Sequence, residues 1–110
     1  MQILGTDSQS VARKLTTLAR LYETRQASEL MNNTLSKLLD VERDDAQRNF
    51  DLLSTDLIEF EEKYGMKSAE FFAQFKRGEL GDDMDFMEWA SLYQMFQRVK
   101  ERLELLVASE

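Results

Sequence analysis

The sequence contains no cysteine, no histidine and no proline, and only four glycines among 110 residues. Each absence removes a class of structure or chemistry. Without cysteine there is no disulfide, no thiolate nucleophile and no thiolate metal ligand. Without histidine the side chain that most often moves protons near neutral pH is missing. Proline and glycine punctuate loop-rich and β-rich folds, so their scarcity points to helices. No apolar run approaches the ~18 residues that a membrane span needs, and no secretory apolar segment opens the chain. The expected location is therefore the cytoplasm, with no membrane partner.

What is present agrees with a helical chain: Leu, Glu, Ala, Lys, Arg, Gln and Met dominate, and all are good helix formers. Hydrophobic residues make up 43 % of the sequence, enough for a core, although a chain of this length often gains burial by dimerising. The net charge of −7 is unevenly spread. Residues 1–43 hold six Lys/Arg and five Asp/Glu, a balance of +1, whereas residues 44–110 hold eight and sixteen, a balance of −8. This predicts two regions, 1–43 and 44–110, with different partners. The near-neutral region can approach nucleic acid. The acidic one is repelled by phosphate and drawn to a basic protein.

Hydrophobic spacing sets the elements. Residues 1–6 are too short for a helix of their own and read as one brief strand or a disordered start. Asp7 or Ser8 is a candidate N-cap for a helix over about 8–23, because Val11, Leu15, Leu18 and Tyr22 form one apolar stripe. Residues 24–27 are polar and break it. A second stripe, Leu30, Met31, Leu35, Leu38 and Leu39, predicts a helix from about 26 to at least 41. Residues 41–49 are highly charged yet contain no breaker, so a turn and a continuous helix both stay open. Phe50, Leu53, Leu57, Phe60 and Tyr64 then keep faultless helical spacing up to Gly65, a good C′ residue. Ser68 can cap a short helix carrying Phe71, Phe72 and Phe75 that stops at Gly78. Asp85 and Glu88 have the spacing of a capping box for a last helix over about 85–108.

Catalysis has few places to hide. Ser–Lys pairs, carboxylate pairs or a carboxylate metal site are all that remain. Asp82, Asp83, Asp85 and Glu88 are the densest acidic group, but they lack the spacing and central glycine of a calcium loop. Acids gathered at a helix N-terminus, where the dipole favours them, explain the group more simply. Glu59, Glu61 and Glu62 read as a solvated helix face, and the six Met as core filler. No enzyme, cofactor or metal is expected.

The rings are more informative. Nine of the eleven aromatics lie between Phe60 and Phe96. Seven of them, Phe71, Phe72, Phe75, Phe86, Trp89, Tyr93 and Phe96, sit on two short-linked helices. Part of this set must form a local core, but the whole exceeds what two helices cover. An aromatic patch rimmed by acids is what a protein-binding surface looks like, so these seven are the expected partner-binding residues.

Two stretches resemble known families. Residues 11–19, the polar break and residues 27–39, with Ser28, Glu29, Leu30 and the paired Leu38 and Leu39, resemble a ribbon-helix-helix domain, the dimeric DNA-binding fold of many bacterial repressors and antitoxins. The resemblance implies a short N-terminal strand and two helices in a homodimer; with the later stripes the expected fold is mainly α, continuing in a long, a short and a C-terminal helix. It also implies a strand ribbon near residues 2–6 in the major groove of operator DNA, with Gln2, Leu4 and Thr6 facing the bases. Gln26, Ala27 and Ser28, at the start of the second helix, then meet a phosphate. The usual Arg or Lys is missing from that strand, and Gln26 stands where a capping hydroxyl is expected. Residues 62–104, notably Glu62 to Phe72 and Gly78 to Tyr93, look like a module of small prokaryotic antitoxins. That likeness implies an acidic, aromatic part that wraps or plugs a basic toxin, often a ribonuclease. The expectation is thus a type II antitoxin that neutralises a basic protein and represses its own operator. The rivals are a structural helical oligomer and an acidic inhibitor without DNA affinity.

Overall fold

The computed structural model describes the backbone of residues 4–109 and the side chains of residues 8–109. Four helices follow one another: α1 (Leu4–Glu23), α2 (Glu29–Tyr64), α3 (Ser68–Lys76) and α4 (Met84–Ala108). Among the described residues there is no strand, and no helix is long and apolar enough to cross a membrane.

The expected N-terminal strand is corrected by this finding. Leu4 and Thr6 lie in the first turn of α1, four residues before the expected start near Ser8, and Gln2 lies outside the described residues. The reason is local. A helix extends by one hydrogen bond for each residue added, whereas a lone strand has no edge to pair with. Among the described residues, a ribbon-helix-helix with an N-terminal strand is therefore not seen.

The chain divides into two compact units, Met1–Leu38 and Leu39–Glu110. In the first, α1 ends in a Schellman motif: the Gln26 N–H bonds the Leu21 carbonyl at 2.7 Å and the Arg25 N–H bonds the Tyr22 carbonyl at 3.1 Å. Arg25 takes the left-handed C′ position with φ 61°, a place usually given to glycine. The missing capping hydroxyl is found two residues beyond Gln26. Ser28 Oγ accepts the Met31 N–H at 3.2 Å and starts α2. Tyr22 Oη donates to Asn32 Oδ1 at 2.7 Å and joins the two helices beside the turn.

Residues 41–49 are helical, so α2 runs unbroken for 36 residues. Its second part carries the Phe50–Tyr64 stripe and belongs to the Leu39–Glu110 unit. Gly65 (φ 65°) and Gly78 (φ 74°) follow the ends of α2 and α3; Gly78 closes a Schellman motif, whereas at Gly65 the Glu61 carbonyl accepts the N–H of both Gly65 (2.8 Å) and Met66 (3.3 Å). The α3 N-cap is Lys67, with no side-chain cap of its own. Glu61 of α2 supplies the missing acceptor, its Oε2 taking the Ser68 N–H at 2.8 Å. The capping box of α4 also differs from expectation. Asp83 is the N-cap and accepts the Asp85 N–H at 2.8 Å, which leaves the Asp85 carboxylate free to bond elsewhere.

Candidate protein-binding site

The core of the second unit is a cluster of Leu57, Phe71, Trp89 and Ala90, with Phe60, Phe72, Phe75, Phe86, Tyr93 and Phe96 packed against it. Trp89 stacks on Phe71 with ring centroids 3.8 Å apart and planes 4° apart. Phe60 and Tyr64 stack on Trp89 at 5.5 and 5.6 Å. The indole N–H donates to Ser68 Oγ at 2.9 Å, which satisfies the one polar atom of the buried ring. Among the described residues no buried side-chain nitrogen or oxygen lacks a partner.

The structure therefore gathers all seven expected partner-binding rings, but around a core. Phe71 and Trp89 are buried at 1 % exposure, and Phe72, Phe75, Phe86, Tyr93 and Phe96 are half-buried. The excess of rings over two helices is taken up by a third helix. The Phe50–Tyr64 stripe of α2 covers them, with Phe50 stacking on Phe96 at 5.1 Å and Tyr64 meeting Phe86 edge-on at 5.2 Å. Phe71 and Trp89 have no surface to offer a partner.

The acids near α4 also have structural duties. Asp85 Oδ2 accepts from Lys63 Nζ at 2.6 Å and from Tyr64 Oη at 2.5 Å, tying the end of α2 to the start of α4. The Lys63 hydrogen bond, then that of Tyr64, holds the Asp85 carboxyl below its ordinary value. The same contacts push Lys63 and Tyr64 above theirs. Among the described residues no group of acids is arranged to hold a metal ion.

Of the residues expected to meet DNA, Leu4 and Thr6 are in α1, and Gln26, Ala27 and Ser28 form the turn before α2. Gln26 donates from Nε2 to Thr24 Oγ1 at 2.9 Å, and Ser28 is engaged as a cap. No described residue brings them to a paired ribbon.

A different surface has the chemistry of a binding site. Where α2 ends and α3 begins, Ile58, Glu61, Glu62, Gly65, Met66, Lys67 and Glu70 line an open hollow of about 420 Å³. Three acidic residues and one lysine are among its lining residues, with Glu61 Oε2 also holding the Ser68 N–H. Ile58 is half exposed and supplies an apolar floor together with Met66. No ion pair among the described residues involves Glu61, Glu62 or Glu70. A second hollow of about 370 Å³ shares Ile58, Glu61 and Lys67 and extends past Ala69 toward Tyr93 and Phe96. The combination suits a segment that carries Lys or Arg beside an apolar side chain. Sequence reasoning passed over it because Glu61 and Glu62 look like any solvated face. The available signal was Ile58, an apolar residue beside the stripe rather than on it.

No protein-family model matches the chain, and neither a curated protein nor a solved structure matches it.

Proposed function

We propose that this chain is a non-catalytic binding protein whose acidic unit captures a basic protein at the hollow between α2 and α3. The observation that carries the reading is the set Glu61, Glu62 and Glu70 around Ile58 and Met66, set in a region with a balance of −8. Charge of that sign accelerates encounter with a basic partner, and the apolar floor rewards a docked side chain. Neutralising a basic toxin is the specific form that the antitoxin likeness of residues 62–104 implies. Operator binding by a strand ribbon is no part of the proposal, because α1 already includes Leu4.

The test is coexpression with the basic product of a neighbouring gene, followed by binding measurements from about 0.05 to about 0.3 M salt. Affinity should fall as salt rises, and Glu62→Lys with Glu70→Lys should weaken it roughly tenfold or more. Binding that ignores both salt and charge reversal would remove the hollow from the mechanism. A second reading, a structural helical oligomer, is favoured by a separate observation on the first unit.

A further inference from the structure

The Met1–Leu38 unit has two helical segments and no buried residue among its described side chains. Val11 is 49 % exposed, Leu15 53 %, Leu30 74 % and Leu38 51 %. Val11, Leu15, Leu18 and Tyr22 follow one face of α1, while Met31, Leu35 and Leu38 follow one face of α2, flanked by Leu30. Among the described apolar residues of the unit, only those near the turn, Leu18, Leu21, Ala27, Met31 and Leu35, reach half burial. A helical hairpin with its apolar stripes in water lacks the burial that offsets the entropy of ordering it.

The geometry points to a second copy of this chain as the occupant of that face, with two hairpins closing into a four-helix bundle. Three observations select this occupant. The first is area. The exposed parts of Val11, Leu15, Tyr22, Leu30 and Leu38 amount to roughly 400–500 Å² per copy, so pairing two copies buries on the order of 1,000 Å², the threshold for a specific interface. The second is charge. This unit holds five Lys/Arg and three Asp/Glu, so two copies meet almost without repulsion, whereas two acidic units repel. The third is form. Each copy supplies two helical stripes, and an isologous pair supplies the four that a closed bundle needs. Dimerisation here is independent of the basic-partner reading, since it uses none of the residues of the acidic hollow.

The experiment is the mass of the full chain in solution at about 10–100 µM, by light scattering after size exclusion, for the unmodified protein and two variants. The unmodified chain should show twice 12.9 kDa. Leu15→Glu with Leu38→Glu should reduce it to a single copy, while Trp89 emission, which reports the other unit, stays unchanged. Leu52→Glu, at an exposed apolar groove beside Met95 and Val99 in the acidic unit, should leave the mass at two copies. Raising salt should leave the dimer intact or tighten it, opposite to its effect on capture of a basic protein. Any mass other than two copies for the unmodified chain overturns the inference, as does a dimer that survives the hairpin variant or is lost with Leu52→Glu. Each of those results leaves the salt-sensitive binding of a basic partner standing.

Discussion

Ser68 has two duties at one residue. Its N–H is held by Glu61 and its hydroxyl accepts the Trp89 indole N–H, at 3 % exposure. Ser68→Ala keeps the first contact and strands a buried donor, so the unit should lose about 1–3 kcal/mol in urea titrations followed by Trp89 emission. Phe71→Ala removes the ring stacked on Trp89 and should cost about 3–5 kcal/mol in the same titration. Asp85 supports a pH prediction. Its carboxyl is held below the ordinary range, so the stability it contributes is complete above about pH 4 and is lost as pH falls through the depressed value. Lys63 and Tyr64 are raised, so theirs is complete below about pH 10 and is lost as pH rises through the elevated values. Urea midpoints should therefore be flat across neutral pH and fall at both ends, and Asp85→Asn should flatten both slopes.

At the scale of elements, three helix ends share a left-handed backbone conformation but not one residue type. Gly65 and Gly78 adopt the left-handed conformation without cost, whereas Arg25 carries a Cβ there. Arg25→Gly should stabilise the α1–α2 turn by about 0.5–1 kcal/mol, seen as a higher thermal midpoint in far-ultraviolet circular dichroism. This pattern also explains what the sequence discloses. Gly65 and Gly78 announce their helix ends, and the Phe50–Tyr64 spacing announces the face that α2 buries. Arg25 announces nothing, so the turn shows only as a polar break, and Ser28 goes unnoticed behind Gln26. The charged run 41–49 leaves a turn and a continuous helix both open in the sequence; Arg102 of α4 bonds Glu42 at 2.6 Å and Asp45 at 3.4 Å, which gives its acids a partner within a helix. The rings were legible as a cluster that forms a core in part, but the helix that covers them was not, because the Phe50–Tyr64 stripe lies upstream of the two helices that carry most of them. The N-terminal strand failed for a simpler reason: its pairing partner was assumed rather than encoded.

At the scale of the whole molecule, the two proposals respond to salt in opposite ways. Capture of a basic protein would draw on long-range charge, and pairing of two hairpins on apolar contact. Raising salt should therefore separate the two associations in one titration, with partner release preceding any change in the mass of the dimer. The wiring of α3 adds a consequence for how the acidic unit comes apart. Nine residues are too few for a helix to persist alone, and this one is capped by Glu61 of α2 and anchored to α4 by the Ser68–Trp89 hydrogen bond and the Phe71–Trp89 stack. Its buried face is held by both neighbours, so hydrogen exchange from the amides around Phe71 should follow the global transition instead of preceding it. The second unit should therefore melt as one cooperative block from Phe50 to Phe96, the α2–α3 hollow being lost together with the indole stack as Trp89 emission changes.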